Sequence, residues 1–365
     1  MLIELALVFL KLGVIGFGGP AAHVALMRRE LVTRRCWLDP EEFNRMFAAC
    51  NLIPGPSSTE LAIFIGRRRA GWRGMVVAGA GFILPAALLM LAIAWAYVRW
   101  GRHPAATHLL AGVRPIVVGI VAWAAVDLGR TMVTDWARAG IAILAAAMLI
   151  LGLSPALTVV LGGAVLMLRR HGWPRALVMS PLGGALVPAS WLLAALFLAF
   201  LKVGALSFGS GYVLVAFLRA DLVQAMAWLT DRQLVDAIAI AQATPGPVYS
   251  VAAFIGYLIG GVPGSVVATA GIFLPGFALI PFVSRVLRLV EHHAAARAFV
   301  DGANAAALGL IAAVALQLAG VALSGLLAVV AAAVTVVVLL RWPLASPALV
   351  VGGAAAGLAG VIGYY

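Results

Sequence analysis

Phe9-Leu10-Lys11-Leu12-Gly13, followed by Phe17-Gly18-Gly19, recurs as Phe200-Leu201-Lys202-Val203-Gly204, followed by Phe208-Gly209-Ser210. Lys11 and Lys202 are the only lysines in 365 residues, and they occupy the same place in two copies of one motif. Each is embedded in apolar sequence, where a cation is costly and marks a functional site by default. Such a residue repeated at an equivalent position points to a pseudo-symmetric membrane protein that handles anions.

Outward from these motifs the repeat extends over the whole chain. An offset of 191 aligns Arg28 with Arg219, Glu30 with Asp221, Trp37 with Trp228, and Pro54-Gly55-Pro56 with Pro245-Gly246-Pro247. One residue is then lost, so that Phe64-Ile65-Gly66 matches Phe254-Ile255-Gly256 and Leu84-Pro85 matches Leu274-Pro275. Near the ends, Ser154-Pro155-Ala156-Leu157 matches Ser346-Pro347-Ala348-Leu349. Residues 1–172 therefore form one repeat and 188–365 the other, joined by a linker over 173–187.

The chain is 64% hydrophobic and 10% charged, with a mean hydropathy of +1.10; a soluble domain carries roughly 25% charged residues. Windows 74–98, 105–128, 188–206, 265–283, 299–320, 322–340 and 344–363 approach the ~20 apolar residues that a spanning helix needs. The fold class is thus an all-α polytopic membrane protein. The net charge of +12 comes mainly from arginines in short loops between apolar runs. That pattern reads as a topology signal rather than a nucleic-acid footprint. The N-terminus lacks a basic region and carries Glu4 and Lys11, unlike a cleavable signal peptide. Cys36 and Cys50 have no metal spacing and suggest no disulfide framework. No phosphate-loop motif, metal constellation or nucleophile appears, so the expectation is a non-enzyme without cofactors.

Charge asymmetry sets the relative orientation of the copies. Loops 28–45 and 67–73 hold Arg28, Arg29, Arg34, Arg35, Arg45, Arg67, Arg68, Arg69 and Arg73. Their counterparts hold only Arg219 and Arg232, beside Asp221, Asp231 and Asp236. Positive-inside bias places the first set in the cytoplasm and the second outside, the pattern of inverted-topology repeats. Segment 43–66 then has two cytoplasmic flanks and becomes a re-entrant hairpin turning near Pro54-Gly55-Pro56. Five crossings per copy, about ten in all, satisfy inversion. Arg99 and Arg102 fall outside on this scheme, and Arg285, Arg288 and Arg297 inside.

Glycine and proline interrupt each copy twice, at Gly18-Gly19-Pro20 with Gly209-Ser210-Gly211 and at the two Pro-Gly-Pro turns. Matched breaks in two halves are the best sequence pointer to a transporter binding site. A helix start after proline offers unpaired N–H groups and the positive end of the dipole, a setting that binds oxyanions. Ser57, Ser58 and Thr59 follow one turn and Tyr249 and Ser250 the other; Asn51 and Gln242 precede them. The expected substrate-binding set is Lys11, Gly18, Gly19, Asn51, Gly55, Ser57, Ser58, Thr59, Arg114, Lys202, Gly209, Gln242, Gly246 and Ser250. His23 and Glu60, present only in the first copy, are the candidates for proton coupling or gating. Arg114 aligns with Asn304. Gly353-x-x-x-Gly357 with Gly360 is a helix-packing signal, open to internal packing or to a homodimer.

The pattern Phe-x-Lys-Leu-Gly, Phe-Gly-Gly-Pro-x-x-His and Asn-x-x-Pro-Gly-Pro-x-x-Thr closely resembles the chromate ion transporter family in its long, two-domain form. In the first half it is carried by Lys11, Gly13, Phe17, Gly18, Gly19, Pro20, His23, Asn51, Pro54, Gly55, Pro56 and Thr59. In the second it is carried by Lys202, Gly204, Phe208, Gly209, Pro245, Gly246 and Pro247, with Ser210 and Gly211 in place of Gly-Pro. The resemblance implies proton-motive-force-driven efflux of chromate across the bacterial inner membrane, conferring resistance. The residues alone reach only a secondary transporter for an anion, leaving sulfate or another oxyanion, or an anion channel, as alternatives. Export is the physically easy direction: an interior-negative potential favours exit by about 2.3 kcal/mol per charge per 100 mV, roughly 5 kcal/mol for a dianion. The expected partners are an inorganic oxyanion and the lipid bilayer, with no nucleic acid.

Overall fold

The computed structural model describes residues 1–17, 19–171, 191–208 and 211–361. Gly18, Gly209, Ser210 and the 173–187 linker lie outside the described residues. Among the described residues all regular structure is helical. The first half forms α1 (Leu2–Ile15), α2 (Gly19–Met27), a π-helical turn (Arg28–Arg34), α3 (Pro40–Cys50), α4 (Ser57–Trp100), α5 (Pro104–Met132), α6 (Trp136–Ile150) and α7 (Pro155–His171). The second forms α8 (Leu192–Leu206), α9 (Val213–Leu218), a π-helical turn (Arg219–Ala225), α10 (Asp231–Ala243), α11 (Val251–Leu279), α12 (Val283–His292), α13 (Ala294–Ala322), α14 (Leu326–Arg341) and α15 (Ser346–Leu358). The order is the same in both halves apart from α12.

Local chemistry accounts for many helix starts. Asp39 accepts from the Glu42 N–H ahead of Pro40, and Asp135 accepts from the Arg138 N–H. Thr230 and Gln233 form a reciprocal capping box at α10. Each arrangement satisfies N–H groups that the helix itself leaves unpaired.

The 44-residue α4 is two helices in sequence, because the backbone at Ala70 and Gly71 is non-helical and Gly71 has φ +61°. A Cβ on Gly66 would lie 2.3 Å from the Gly74 carbonyl oxygen. Residues eight apart in a continuous helix are separated by about 12 Å, so the limbs fold back on each other. Glycine is required there twice, for the positive φ at Gly71 and for the close approach of Gly66 to Gly74. α11 repeats the device, with Gly261 at φ +60° and Gly256 against Gly264.

The Pro-Gly-Pro excursion of the first half has its two ends side by side. Arg68 pairs with Glu42 at 3.0 Å, and the Arg69 guanidinium sits 3.9 Å over the Trp37 ring. Segment 1 turns back on itself in the same way. α1 ends at Ile15, where the chain doubles back, with Glu4 at 3.2 Å from Arg35, Lys11 at 3.3 Å from Glu30, and Gly16 O at 3.0 Å from His23 Nε2. Its 14 residues span about 21 Å, short of the ~30 Å hydrocarbon core. Lys202 and Asp221, 2.6 Å apart, make the equivalent rung after α8. Four described helical stretches are long and apolar enough to cross a membrane: Ser57–Trp100, Pro104–Met132, Val248–His292 and Ala294–Ala322.

The halves exchange their terminal hairpins. α6 and α7 pack on α13, whereas α14 and α15 pack on α5. Small residues make these crossings close: Gly302 meets Gly162 and Gly163, Gly309 meets Ala142, Gly112 meets Gly353 and Gly357, and Gly119 meets Ala332. Lipid is as apolar as leucine, so helix association in a bilayer relies on such backbone-to-backbone packing. The Gly353-x-x-x-Gly357 signal is thereby occupied within the chain and lends no support to a dimer. α5 and α13 run antiparallel. Thr107 and His108 at the start of α5 face a cavity shared with Val321 and Ala322 at the end of α13, and Arg138, just beyond α5, bonds Asp301 near the start of α13.

The exterior is apolar. Leu88, Val98, Ile143, Leu198, Val266, Leu316 and Val337 are all exposed, more than a water-facing surface ordinarily carries. Exposed Trp72, Trp100, Trp136, Trp191 and Trp342 sit at helix limits, the position of interfacial aromatic belts.

Candidate transport site

Each Pro-Gly-Pro turn docks on the break of the other half. The Gly55 N–H donates to Ser207 O at 2.9 Å, and the Gly246 N–H donates to Gly16 O at 2.7 Å. Residues 16 and 207, like 55 and 246, are related by the 191-residue offset, so this is one contact made twice. Gly55 and Gly246 adopt φ of +132° and +94°. Their N–H groups, expected to face an oxyanion, instead satisfy buried carbonyls at the frayed ends of α1 and α8, since buried backbone groups must be paired. The Thr59 and Glu60 N–H groups both return to Pro56 O.

Around these turns lies a group of buried polar side chains. His23 is enclosed, with Nδ1 at 3.2 Å from Ser58 Oγ, Nε2 at 3.0 Å from Gly16 O, and its ring edge-on to Phe82 at 5.4 Å. Glu60 is fully buried, and neither carboxyl oxygen has a hydrogen-bond partner. It lies against the first turn: a Cβ on Gly55 would sit 2.2 Å from Glu60 Oε1. Thr59 Oγ1, Gln242 Nε2 and Tyr249 OH are also buried without a hydrogen-bond partner. Such atoms are rare in folded proteins and ask for a ligand, a water or a proton. In the second half nothing in the sequence replaces His23, yet the space is filled. Tyr249, aligned with Ser58, places its ring 3.5 Å from a Cβ built on Gly211 and 6.3 Å from Phe273. Ser250 is buried and Ser57 half-buried; Asn51 is exposed whereas its counterpart Gln242 is buried. Gly19 opens α2 at φ +79° with open space where a Cβ would be.

The lysines are not free cations. Lys11 binds Glu30, which also takes Arg35 at 2.7 Å and Arg34 at 3.3 Å. The Arg35 hydrogen bond, aided by Lys11 and Arg34, pulls the Glu30 carboxyl down to about 2, so it is an anion at neutral pH. Lys202 binds Asp221. Both acids sit on π-helical turns, which are frequent at functional sites. Arg114 is likewise committed: Nε and Nη2 grip Asp236 Oδ1 and Oδ2 at 2.8 and 3.1 Å, and Tyr97 OH donates to Oδ2 at 2.9 Å. Asp236 is 1% exposed. Asn304, aligned with Arg114, leaves Oδ1 unpartnered.

Sequence reasoning missed Asp236 and Tyr97, and treated Tyr249 as a mere hydroxyl. Asp236 read as a loop charge, and nothing local marks it as the partner of a residue 122 positions away. The lysine partners were within reach, since Lys11 to Glu30 and Lys202 to Asp221 share a spacing of 19.

A family model described as "Chromate transporter" matches residues 3–168 and 194–361, one segment in each half. The chain is 35% identical to the "Chromate transport protein" of Cupriavidus metallidurans, over 99% of this chain and 93% of that one. It is 34% identical to the "Probable chromate transport protein" of Synechococcus elongatus, over 85% of this chain and 82% of that one. It is also 34% identical to the "Chromate transport protein" of Pseudomonas aeruginosa, over 86% and 80% of the two chains. No solved structure matches it. With two matched segments spanning both halves and relatives covered over most of their length, the chain belongs to the chromate transporter family.

Proposed function

We propose that the chain exports chromate across the bacterial cytoplasmic membrane, driven by the proton motive force, and so confers chromate resistance. The observation that carries this reading is the crossed docking of the two Pro-Gly-Pro turns on the two breaks, which gathers Thr59, Glu60, Gln242 and Tyr249 with their polar atoms unpartnered. In this reading the oxyanion enters between the breaks and turns and is held by Gly19, Ser57, Ser58, Thr59, Gln242, Ser250 and the freed N–H groups of Gly55 and Gly246. Asn51 belongs to the same proposed set, as do Gly18 and Gly209, which lie outside the described residues. Lys11, Lys202 and Arg114 act from their ion pairs, setting the local potential without surrendering their acids. Glu60, with His23 beside the same turn, exchanges a proton when water reaches it; a bare carboxylate in a dry, apolar enclosure is costly, so opening and protonation are coupled. Chromate uptake into inverted vesicles under an imposed proton gradient tests this. Saturable uptake abolished by an uncoupler is the expected result, and uptake indifferent to the gradient, or a response to sulfate alone, would refute it.

The same reading makes the halves inverted repeats. The antiparallel run of α5 and α13 supports it, as does the crowding of arginine in loops 28–45 and 67–73 but not in their counterparts. Cysteines placed singly at Ala70 and Gly260, in a background lacking Cys36 and Cys50, should label from opposite faces with an impermeant thiol reagent. Both positions have negative φ, so cysteine fits without backbone strain. Labelling of both from one face would contradict inversion.

A further inference from the structure

A cavity of about 300 Å³ opens away from the crossed turns, between the starts of α5, α10 and α14 and the end of α13. Thr107, His108, Arg114, Arg232 and Ser324 supply its polar lining. Three features make it electropositive. Arg232 is exposed and takes part in no ion pair among the described residues. Arg114 holds Asp236 through Nε and Nη2, which keeps Nη1 for a further acceptor. α5 and α14 both begin at its wall, at Pro104 and Leu326, and helix N-termini favour anions through their unpaired N–H groups and dipole. The acids beside it are already paired, Asp236 with Arg114 and Asp231 with Arg219. The volume equals roughly ten waters at ~30 Å³ each, enough for a small inorganic anion with part of its hydration shell. α10 separates the two regions: Arg232 is at its start and the second Pro-Gly-Pro turn follows its end, and its 13 residues measure about 20 Å.

We propose that this cavity is a second anion site, a vestibule in which a divalent tetrahedral oxyanion rests between Arg232 and Arg114 before or after passing the crossed turns. It rests on the reading of the chain as an oxyanion transporter and adds a site and two residues, Arg232 and Ser324, to it. Arg232 provides the positive charge, and Arg114, whose charge Asp236 balances, provides a fixed N–H donor through Nη1. The Arg114–Asp236–Tyr97 bonds tie the vestibule to α10, the helix that leads to the second turn.

The test is equilibrium binding of radiolabelled sulfate to the full chain in nanodiscs, with chromate as competitor. The wild-type protein should bind two sulfates, and raised salt should weaken both. Arg232→Gln should lower the affinity of one of them by about tenfold, the loss of one charge-assisted contact. Arg232→Lys should retain much of the binding, and Ser324→Ala should weaken the same site by a smaller factor. A single sulfate with unchanged affinity in Arg232→Gln overturns the vestibule while leaving the transport reading intact. Absence of any sulfate or chromate binding in the wild type also overturns the vestibule, while vesicle uptake decides the transport reading separately.

Discussion

Gly55→Val and Gly246→Val should each abolish chromate uptake into inverted vesicles at matched protein levels. Both glycines lie at positive φ, +132° and +94°, where a β-branched residue is a strained outlier. Space is also lacking: a Cβ would lie 2.2 Å from Glu60 Oε1 at position 55 and 2.5 Å from the Ala86 methyl carbon at position 246. Relieving either overlap pulls the turn from the opposite break, severing the Gly55–Ser207 or Gly246–Gly16 bond. Because Glu60 and His23 lie beside the first turn, Gly55→Val should be the more severe of the two. Ser57→Ala, by contrast, removes at most one hydrogen bond, about 0.5–1.5 kcal/mol, and should leave substantial flux. Normal transport by both valine variants would make the turns simple packing features and move the site to the neighbourhood of Arg114 and Asn304.

Arg114→Ala should destabilise the protein by about 3–5 kcal/mol, the cost of stranding a buried carboxylate. Asp236 is 1% exposed and takes three bonds, two from Arg114 and one from Tyr97. The double variant Arg114→Ala/Asp236→Asn should recover much of the loss, since no bare charge then remains. Thermal unfolding of the detergent-purified single and double variants reads this coupling. Strictly additive losses would show that Asp236 is solvated by something other than Arg114. The pair joins the first half to the second, so the same variants should also loosen the contact between α5 and α10.

The repeat, the membrane class and the breaks were legible in the sequence because each is local. Lysine in apolar sequence, proline beside glycine, and arginine crowded into two loops carry their cost or their conformational preference wherever they stand. Positive φ at Gly55 and Gly246, and the capping of α3 and α10, follow from neighbouring residues. What needed the folded chain was everything decided by distance in three dimensions. Segment 1 is apolar enough to cross, yet Lys11–Glu30 and His23–Gly16 bend it into a hairpin. The Pro-Gly-Pro N–H groups were identified as donors, but the acceptor carbonyls, Ser207 and Gly16, lie in the opposite half. Asp236 became the partner of Arg114 only when α10 was laid against α5. The exchange of α6–α7 for α14–α15 left no local mark, because glycines at 112, 162, 302 and 353 permit close packing without naming the helix that will approach. Local sequence sets the cost of a conformation or of a bare charge; which distant group relieves that cost is settled by the packing of the whole chain.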